Sequence, residues 1–211
     1  VLVTAGPGST NAVTGVAGGY TDSSPMIVIS GQSALPFVRY QEKTGIRQYG
    51  VQGIYIRPLV ENVVKYFVTI DDPQKTEYYL EKAYRHAVEG RPGPVWVDVP
   101  LDVQNMQVDL RYMEPYLPEK ETKKFHTGRQ EVRQAWDVLR QAKRPLILAG
   151  QGVALSGARE LFKKCVEKAG IPVVTARLGI DLMESDHRLY VGRPGNYGER
   201  AANFAVQNAD V

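Results

Sequence analysis

Short apolar runs alternate with helical patterns along this chain, and a glycine- or proline-bearing turn punctuates almost every change from one to the other. That alternation predicts parallel α/β architecture, because parallel strands are joined by helices that cover both faces of the sheet and leave the strands apolar throughout. The runs at 1–3, 26–29, 95–99, 146–149 and 172–175 read as strands, with Asp98 and Pro100 delivered to the carboxyl end of the third. A small-residue helix is expected over 10–19. The helix announced by the cap and first-turn pair Asp72-Pro73 places Leu80, Ala83, Tyr84, Ala87 and Val88 on one face, which should pack on a sheet, and Gly90 stops it. Further on, Val132, Ala135, Trp136 and Leu139 recur at helical spacing, and a later helix turns Ala158, Leu161, Phe162, Cys165 and Ala169 inward.

Between about 104 and 129 the periodicity lapses, and Pro115, Pro118 and the charged residues 119–124 read as a linker. The expected organisation is therefore α/β in two parallel-sheet units, 1–104 and 129–211, joined by a linker at 105–128. The chain opens inside a strand pattern and closes at Asn208-Ala209-Asp210-Val211 as another is about to start, so both units are expected to be truncated pieces of larger domains.

Charge narrows the classes of partner. Lys and Arg number 26 against 23 Asp and Glu, and the basic residues are interspersed with acids, so a nucleic-acid partner is not expected. No run approaches the roughly 20 apolar residues of a membrane helix, and no basic-then-apolar leader opens the chain; with Cys165 the only cysteine, the expected setting is cytoplasmic. Cys165 reads as a packed core residue. His86, His126 and His187 read as surface residues with no metal-ligand spacing.

The turn Gly6-Pro7-Gly8-Ser9-Thr10-Asn11 lies between a strand and a helix, where backbone amides can meet an anion. A dinucleotide fingerprint would need a third glycine at Asn11 and an acid ending the next strand, where Ser30-Gly31 stands, so that reading fails. On the residues alone, the turn is equally a piece of backbone geometry, Asn11 a helix-start side chain bonding its own backbone, Gln41 a solvated loop amide and Arg91 a cation near a helix end.

An ordered set of motifs goes further. Gly-Pro-Gly-x-Thr-Asn at 6–11 is followed by Gly15, Asp22-Ser23-x-Pro25, Ile29-x-Gly31-Gln32, Tyr40-Gln41-Glu42, Gly90-Arg91-Pro92-Gly93-Pro94-Val95 and Asp98-Val99-Pro100-x-Asp102-Val103. Then come Ala149-Gly150-Gln151-Gly152, Ala202-Asn203 and Asn208-Ala209-Asp210. Together they resemble the thiamine-diphosphate-dependent enzymes of the acetolactate synthase family, from within the pyrimidine-binding domain into the middle domain. The resemblance implies decarboxylation of 2-keto acids and carboligation of the product. It implies that Gly6 and Gly8 allow close approach to the cofactor, that Pro7 and Asn11 line its aminopyrimidine, and that Gln41 acts beside the reacting centre. Arg91, with Gly150 and Gly152, would face flavin adenine dinucleotide where a member binds it. A glutamate upstream of the glycine turn and a Gly-Asp-Gly motif that holds Mg2+ and the diphosphate complete such a site; no Gly-Asp-Gly occurs here, so the 211 residues are expected to be inactive alone, and the parent to be a homo-dimer or homo-tetramer.

Two positions depart from the acetolactate synthases proper: Leu101 stands where they carry lysine, and Pro194 in Gly192-Arg193-Pro194-Gly195 where they usually have histidine. A relative that transfers an acetyl unit to a keto sugar or another acceptor is thus a second reading. A third, of another class, is a non-catalytic α/β module that binds a nucleotide or a protein through its glycine turns.

Overall fold

Two long strands with both faces covered organise the first half of the chain. In the computed structural model, which describes residues 1–118 and 128–211, the chain divides into two compact units, Val1–Lys120 and Glu121–Val211. The first contains β1 (Leu2–Val3), α1 (Pro7–Thr21), β2 (Met26–Gln32), α2 (Leu35–Thr44), α3 (Arg57–Val60), β3 (Phe67–Thr69), α4 (Thr76–Val88), β4 (Pro94–Pro100) and α5 (Leu101–Gln104). Its sheet runs in the order β1-β2-β4-β3 and every pairing is parallel. Seven consecutive pairs join β2 to β4, from Met26↔Pro94 to Gln32↔Pro100.

Strand alternation splits the apolar residues between two faces. Val28 and Trp96 pack with Val16 of α1 and with Ile56, Val60 and Val64 on one side. On the other side Val95 and Val97 pack with Ile70, Val103 and the α4 residues Ala83 and Ala87.

Helix α1 starts three residues before the expected span. Gly6 caps it at φ 60°, and Pro7 takes its first position, where the missing N–H costs nothing and the ring already holds a helical φ. Helix α4 follows the Asp72-Pro73 signal through one 3-10 turn, Pro73–Lys75, whose cap is the Asp72 carboxylate accepting from Gln74 N at 3.0 Å. Its inward face is narrower than the expected one: Ala83 and Ala87 are buried as expected and Tyr79 packs beside them, while Tyr84 (57% exposed), Leu80 and Val88 face outward. The small residues let the helix lie close to β4, and a five-residue apolar face would be wider than that contact.

Within residues 105–118, read above as the start of a linker, Tyr116 is held by α4. Tyr116 N donates to Glu81 Oε2 at 2.7 Å, and the Tyr116 ring meets Tyr78 edge-on at 5.4 Å. The charged residues 119–124 and His126 lie outside the described residues.

The second unit has α6 (Arg129–Gln141), β5 (Ile147–Ala149), α7 (Gly152–Leu155), α8 (Arg159–Ala169), β6 (Val173–Thr175), β7 (Tyr190–Gly192) and α9 (Arg200–Asn208), with the parallel order β5-β6-β7. Ala149, Val166, Val173, Leu182 and Met183 form its core. The expectation that Cys165 is a core residue is wrong: it is exposed, as is Leu161 at 64%. The buried stripe of α8 is Phe162 and Val166, one position further along, and a shift of one residue turns a helical face by about 100°. Of the histidines, His86 and His187 are half-buried rather than on the open surface. His86 stacks on Tyr66 with ring centroids 5.0 Å apart, and His187 Nδ1 accepts from Leu189 N at 3.2 Å.

At the carboxyl end of the first sheet the Val28/Trp96 cluster is capped by polar groups. Ser30 Oγ donates to Asp98 Oδ1 at 2.5 Å and accepts from Trp96 Nε1 at 2.7 Å, while Gln32 Nε2 donates to Asp98 Oδ2 at 3.1 Å. Burial raises the Asp98 carboxyl from its ordinary 3.8 to about 6, against the two hydrogen bonds that favour its charge. A raised folded-state pKa means that this group stabilises the fold fully below pH 3.8, and that the contribution is lost as pH rises through about 6. Asp98→Asn removes the titration, so the stability of wild type relative to the variant should fall by roughly 2 kcal/mol between about pH 4 and pH 7. Urea unfolding midpoints across that range measure it, and a flat difference would contradict the assignment.

Candidate functional site

In an open parallel sheet, ligand crevices form outside the carboxyl ends of the strands. The first unit has such a cleft, of about 790 Å³, where β1, β2 and β4 end. Thr4, Ala5, Gly31, Val99, Leu101 and Gln104 contribute to its lining, with Phe37 and Val51 at its edge, and none of its lining residues is ionisable. A neutral, flat heterocycle such as an aminopyrimidine fits this lining; a diphosphate or a metal ion does not. Asp102 stands just outside and caps α2, its Oδ1 accepting from Leu35 N at 2.9 Å, so the helix that borders the cleft is pinned to the end of β4.

The wall opposite is the segment 47–56, which has little regular structure and is held by side chains. Gln41, in α2, donates from Nε2 to Arg47 O at 2.9 Å and Gly53 O at 3.4 Å. Gln32 Nε2 donates to Ile54 O at 2.9 Å, and Ser33 Oγ to Val51 O at 3.4 Å. Ile56 is buried in the apolar cluster below. Two glycines make the close approach possible: a Cβ at Gly53 would lie 2.1 Å from Tyr49 O, and one at Gly50, whose φ is 81°, would lie 2.8 Å from the Phe37 ring. The segment also touches the glycine turn, since a Cβ at Gly6 would come within 2.4 Å of Gln52 O.

The sequence-derived site residues fall into three places. Gly6, Pro7, Gly8 and Asn11 form the start of α1 beside the cleft, with Gly6 buried and Pro7 and Asn11 exposed. Gly8 abuts Thr4 Cγ2, where a Cβ would lie 2.6 Å away, so packing alone accounts for that glycine. Gln41 is no solvated loop amide: it is 5% exposed, its Nε2 is committed to backbone carbonyls, and it is not among the residues that line the cleft. Helix α2 turns it inward while its sequence neighbours Tyr40 and Glu42 face out.

Arg91 is elsewhere. It precedes β4, at the amino end of the sheet, where its Nε donates to Ser23 Oγ at 2.7 Å and it shares a pocket with Tyr20, Thr21, Lys65 and Pro92. Burial lowers the pKa of that lysine, whose Nζ donates to Glu89 O at 2.7 Å. Gly150 and Gly152 belong to the second unit, following the carboxyl end of β5. Neither has a positive φ, and a Cβ at either would meet nothing within 4 Å, so neither the backbone nor packing demands glycine there.

Two groupings were not foreseen, although Arg193, Ser30, Gln32 and Asp98 were each named above as motif positions. Arg177 and Arg193 follow β6 and β7 and line a pocket of about 470 Å³ with Asn196 and Tyr197; the usable signal was a cation within two residues of each strand end. Arg193 is paired with Glu199 at 3.3 Å. Ser30, Gln32 and Asp98 form the buried network, and the signal was polar residues inside runs that are otherwise apolar.

Comparison with known proteins places these features. Residues 1–55 match the model of the thiamine pyrophosphate enzyme N-terminal TPP binding domain, and residues 132–211 that of the thiamine pyrophosphate enzyme central domain. Over 218 aligned residues, covering 100% of the chain and 36% of the relative, it is 37% identical to the acetolactate synthase isozyme 3 large subunit of Escherichia coli. It is 35% identical to a probable acetolactate synthase large subunit of Methanocaldococcus jannaschii and 35% identical to the acetolactate synthase large subunit of Lactococcus lactis, covering 34% and 35% of those proteins. The chain thus spans about a third of the length of these curated relatives. It belongs to the thiamine-diphosphate-dependent enzymes of the acetolactate synthase family.

Proposed function

We propose that the protein containing this chain decarboxylates 2-keto acids and ligates the product to an acceptor, with thiamine diphosphate as cofactor, and that this chain supplies the pyrimidine side of the site. The observation that carries the reading is the cleft without ionisable groups at the strand ends, next to the Gly6–Asn11 turn. When bound, thiamine diphosphate supplies a carbon nucleophile and an electron sink for loss of carbon dioxide. The chain's own residues do the rest of what is assigned to them here. Gly6 and Gly8, packed against Gln52 and Thr4, set the turn that brings backbone beside the ring, Pro7 and Asn11 offer an apolar edge and an amide to it, and the largely apolar lining favours a ring over water. Gln41 Oε1 accepts a hydrogen bond from a hydroxyl derived from the keto acid. Mg2+, the diphosphate and the activating glutamate are assigned to parts of the protein outside these 211 residues, so the chain alone is inactive. The parent is a cytoplasmic homo-dimer or homo-tetramer in this reading; among the described residues no helix is long and apolar enough to cross a membrane.

One observation favours a different acceptor. Leu101 lines the cleft and is 57% exposed, an apolar side chain where the acetolactate synthases proper carry a cation. An acceptor with hydroxyls, such as a keto sugar, is favoured over a second 2-keto acid, whose carboxylate the lysine charge would attract.

Flavin adenine dinucleotide belongs to the second unit in this proposal. The open space over Gly150 and Gly152 admits a nucleotide, and Arg177 and Arg193 supply cations for its phosphates at the same strand ends.

In full-length protein supplied with thiamine diphosphate, Mg2+ and pyruvate, Gln41→Ala should lower keto-acid consumption at least about tenfold, in keeping with loss of a preorganised contact. Gln48→Ala, a nearby amide, should stay close to wild type; equal, small effects at both would remove Gln41 from the mechanism. Competing 2-ketobutyrate against a keto sugar as acceptor tests the Leu101 argument, and preference for the keto acid would defeat it. For the flavin, the purified protein should be yellow and Arg193→Ala should release the chromophore. A colourless protein that takes up no flavin on reconstitution would exclude it.

A further inference from the structure

The polar groups that cap the Val28/Trp96 cluster are linked, one donor at a time, to the wall of the cleft. An indole N–H only donates, so Trp96 Nε1 occupies a lone pair of Ser30 Oγ and directs the serine proton to Asp98 Oδ1. The other carboxylate oxygen accepts from Gln32 Nε2, whose second hydrogen goes to Ile54 O, while Gln32 Oε1 accepts from Ser33 N at 2.9 Å. The amide has one workable orientation. Reversed, it would set Oε1 against two acceptors, Asp98 Oδ2 and Ile54 O, and an N–H against Ser33 N. All four side chains are buried, with Trp96 and Ser30 at 0% exposure and Gln32, at the floor of the cleft, at 5%, so the partners they have are one another.

We propose that Asp98 is a positioning residue of the cleft: through Gln32 it holds residues 47–56 against the strand ends, and so keeps the Val51 wall and the contact between Gly6 and Gln52 in place. The register explains how a strand residue reaches that segment. Ser30 is the partner of Asp98 across β2 and β4, and Gln32 lies two residues further on the same face, where the sheet ends and the 47–56 segment crosses it. What occupies the cleft rests on the function proposed above; the anchoring does not.

The substitutions separate the roles. In Asp98→Asn, Oδ1 can still accept from Gln32 while Nδ2 turns to Ser30 Oγ, so the link to the segment survives although the network is weakened. Asp98→Val removes both acceptors and strands a Gln32 hydrogen. Gln32→Met removes the link and leaves the carboxylate. Trypsin cleavage of the Arg47–Gln48 bond in the full-length protein reports the segment, because cleavage requires local release of its backbone. Asp98→Val and Gln32→Met should each speed that cleavage about tenfold, and the double variant should be no faster than the faster single one, as expected for two members of one chain of contacts. Asp98→Asn should cut within about twofold of wild type even if its Tm is lower.

Wild-type cleavage in Gln32→Met, additive effects in the double variant, or rapid cleavage in Asp98→Asn would each overturn the proposal. If Asp98→Val does not fold, the Gln32→Met and Asp98→Asn rates decide. Calorimetric titration of the same proteins with thiamine diphosphate keeps the two proposals apart. Weakened binding that tracks cleavage supports both, whereas faster cleavage with unchanged affinity upholds the anchoring and counts against the cleft as the pyrimidine site.

Discussion

The pairing of β2 with β4 is the constraint on which the first unit depends. Seven residues on each strand lie in register, and the two apolar clusters take their membership from it, Val28 and Trp96 on one face, Val95 and Val97 on the other. A slip by one residue would reverse both faces at once, moving Trp96 from the α1 side to the α4 side and placing Asp98 among the apolar contacts of Ala83 and Ala87. The same register brings Ser30 opposite Asp98, so the single buried acid of these strands meets a donor where the sheet ends. Core packing and the polar cap are thus set by one alignment of two strands.

From that alignment the cleft follows. Parallel strands all release their chains at the same end, and here the exits carry small or uncharged residues, Thr4 and Ala5 after β1, Ser33 and Ala34 after β2, Leu101 after β4. Charge is kept to the periphery: Asp102 is spent on the start of α2, and Glu42 accepts from Tyr55 Oη at 2.8 Å. That contact and burial together raise the Tyr55 pKa, with burial the larger cause, so the hydroxyl stays a donor at ordinary pH. A ring that enters such a cleft is selected by shape and by a few amide and hydroxyl contacts, and a polyanion is left without a counter-charge.

Much of this was legible in the chain before its structure, and the failures share a cause. Strand runs and the Gly6 and Asp72 signals marked the elements well because they report local backbone preference, which sequence carries directly. Helix faces were drawn too wide: in α4 the expected stripe held Leu80, Tyr84 and Val88 beside Ala83 and Ala87, and in α8 Leu161 and Cys165 beside Phe162, where Ala83, Ala87 and Phe162 are the ones that pack in the cores. Only the sheet below decides among them, and it chose the smaller residues in α4 because they allow the closer approach. Gln41 was misplaced for a related reason. Its neighbours are polar, but a ten-residue helix, Leu35–Thr44, turns it inward, and its partners Arg47 and Gly53 lie in a segment with no periodicity to read. Networks such as Ser30–Asp98–Gln32 join residues 66 and 68 positions apart, which no local pattern encodes.

The glycines show how far one residue type can serve opposite ends. At Gly6, Gly50 and Gly53 a side chain would strike a carbonyl, a ring or a hydroxyl, so these glycines exist for packing and hold the wall of the cleft to its turn. At Gly150 and Gly152 the backbone is ordinary and the space above is open, so the protein itself gains nothing from the missing Cβ. A glycine that its own fold does not require leaves the backbone bare to something outside it. In the second unit that bareness sits at the strand ends that also carry Arg177 and Arg193, whereas the first unit presents a closed turn beside an uncharged cleft. The two units therefore present different surfaces: an uncharged cleft in the first, and bare backbone with two arginines at the strand ends of the second.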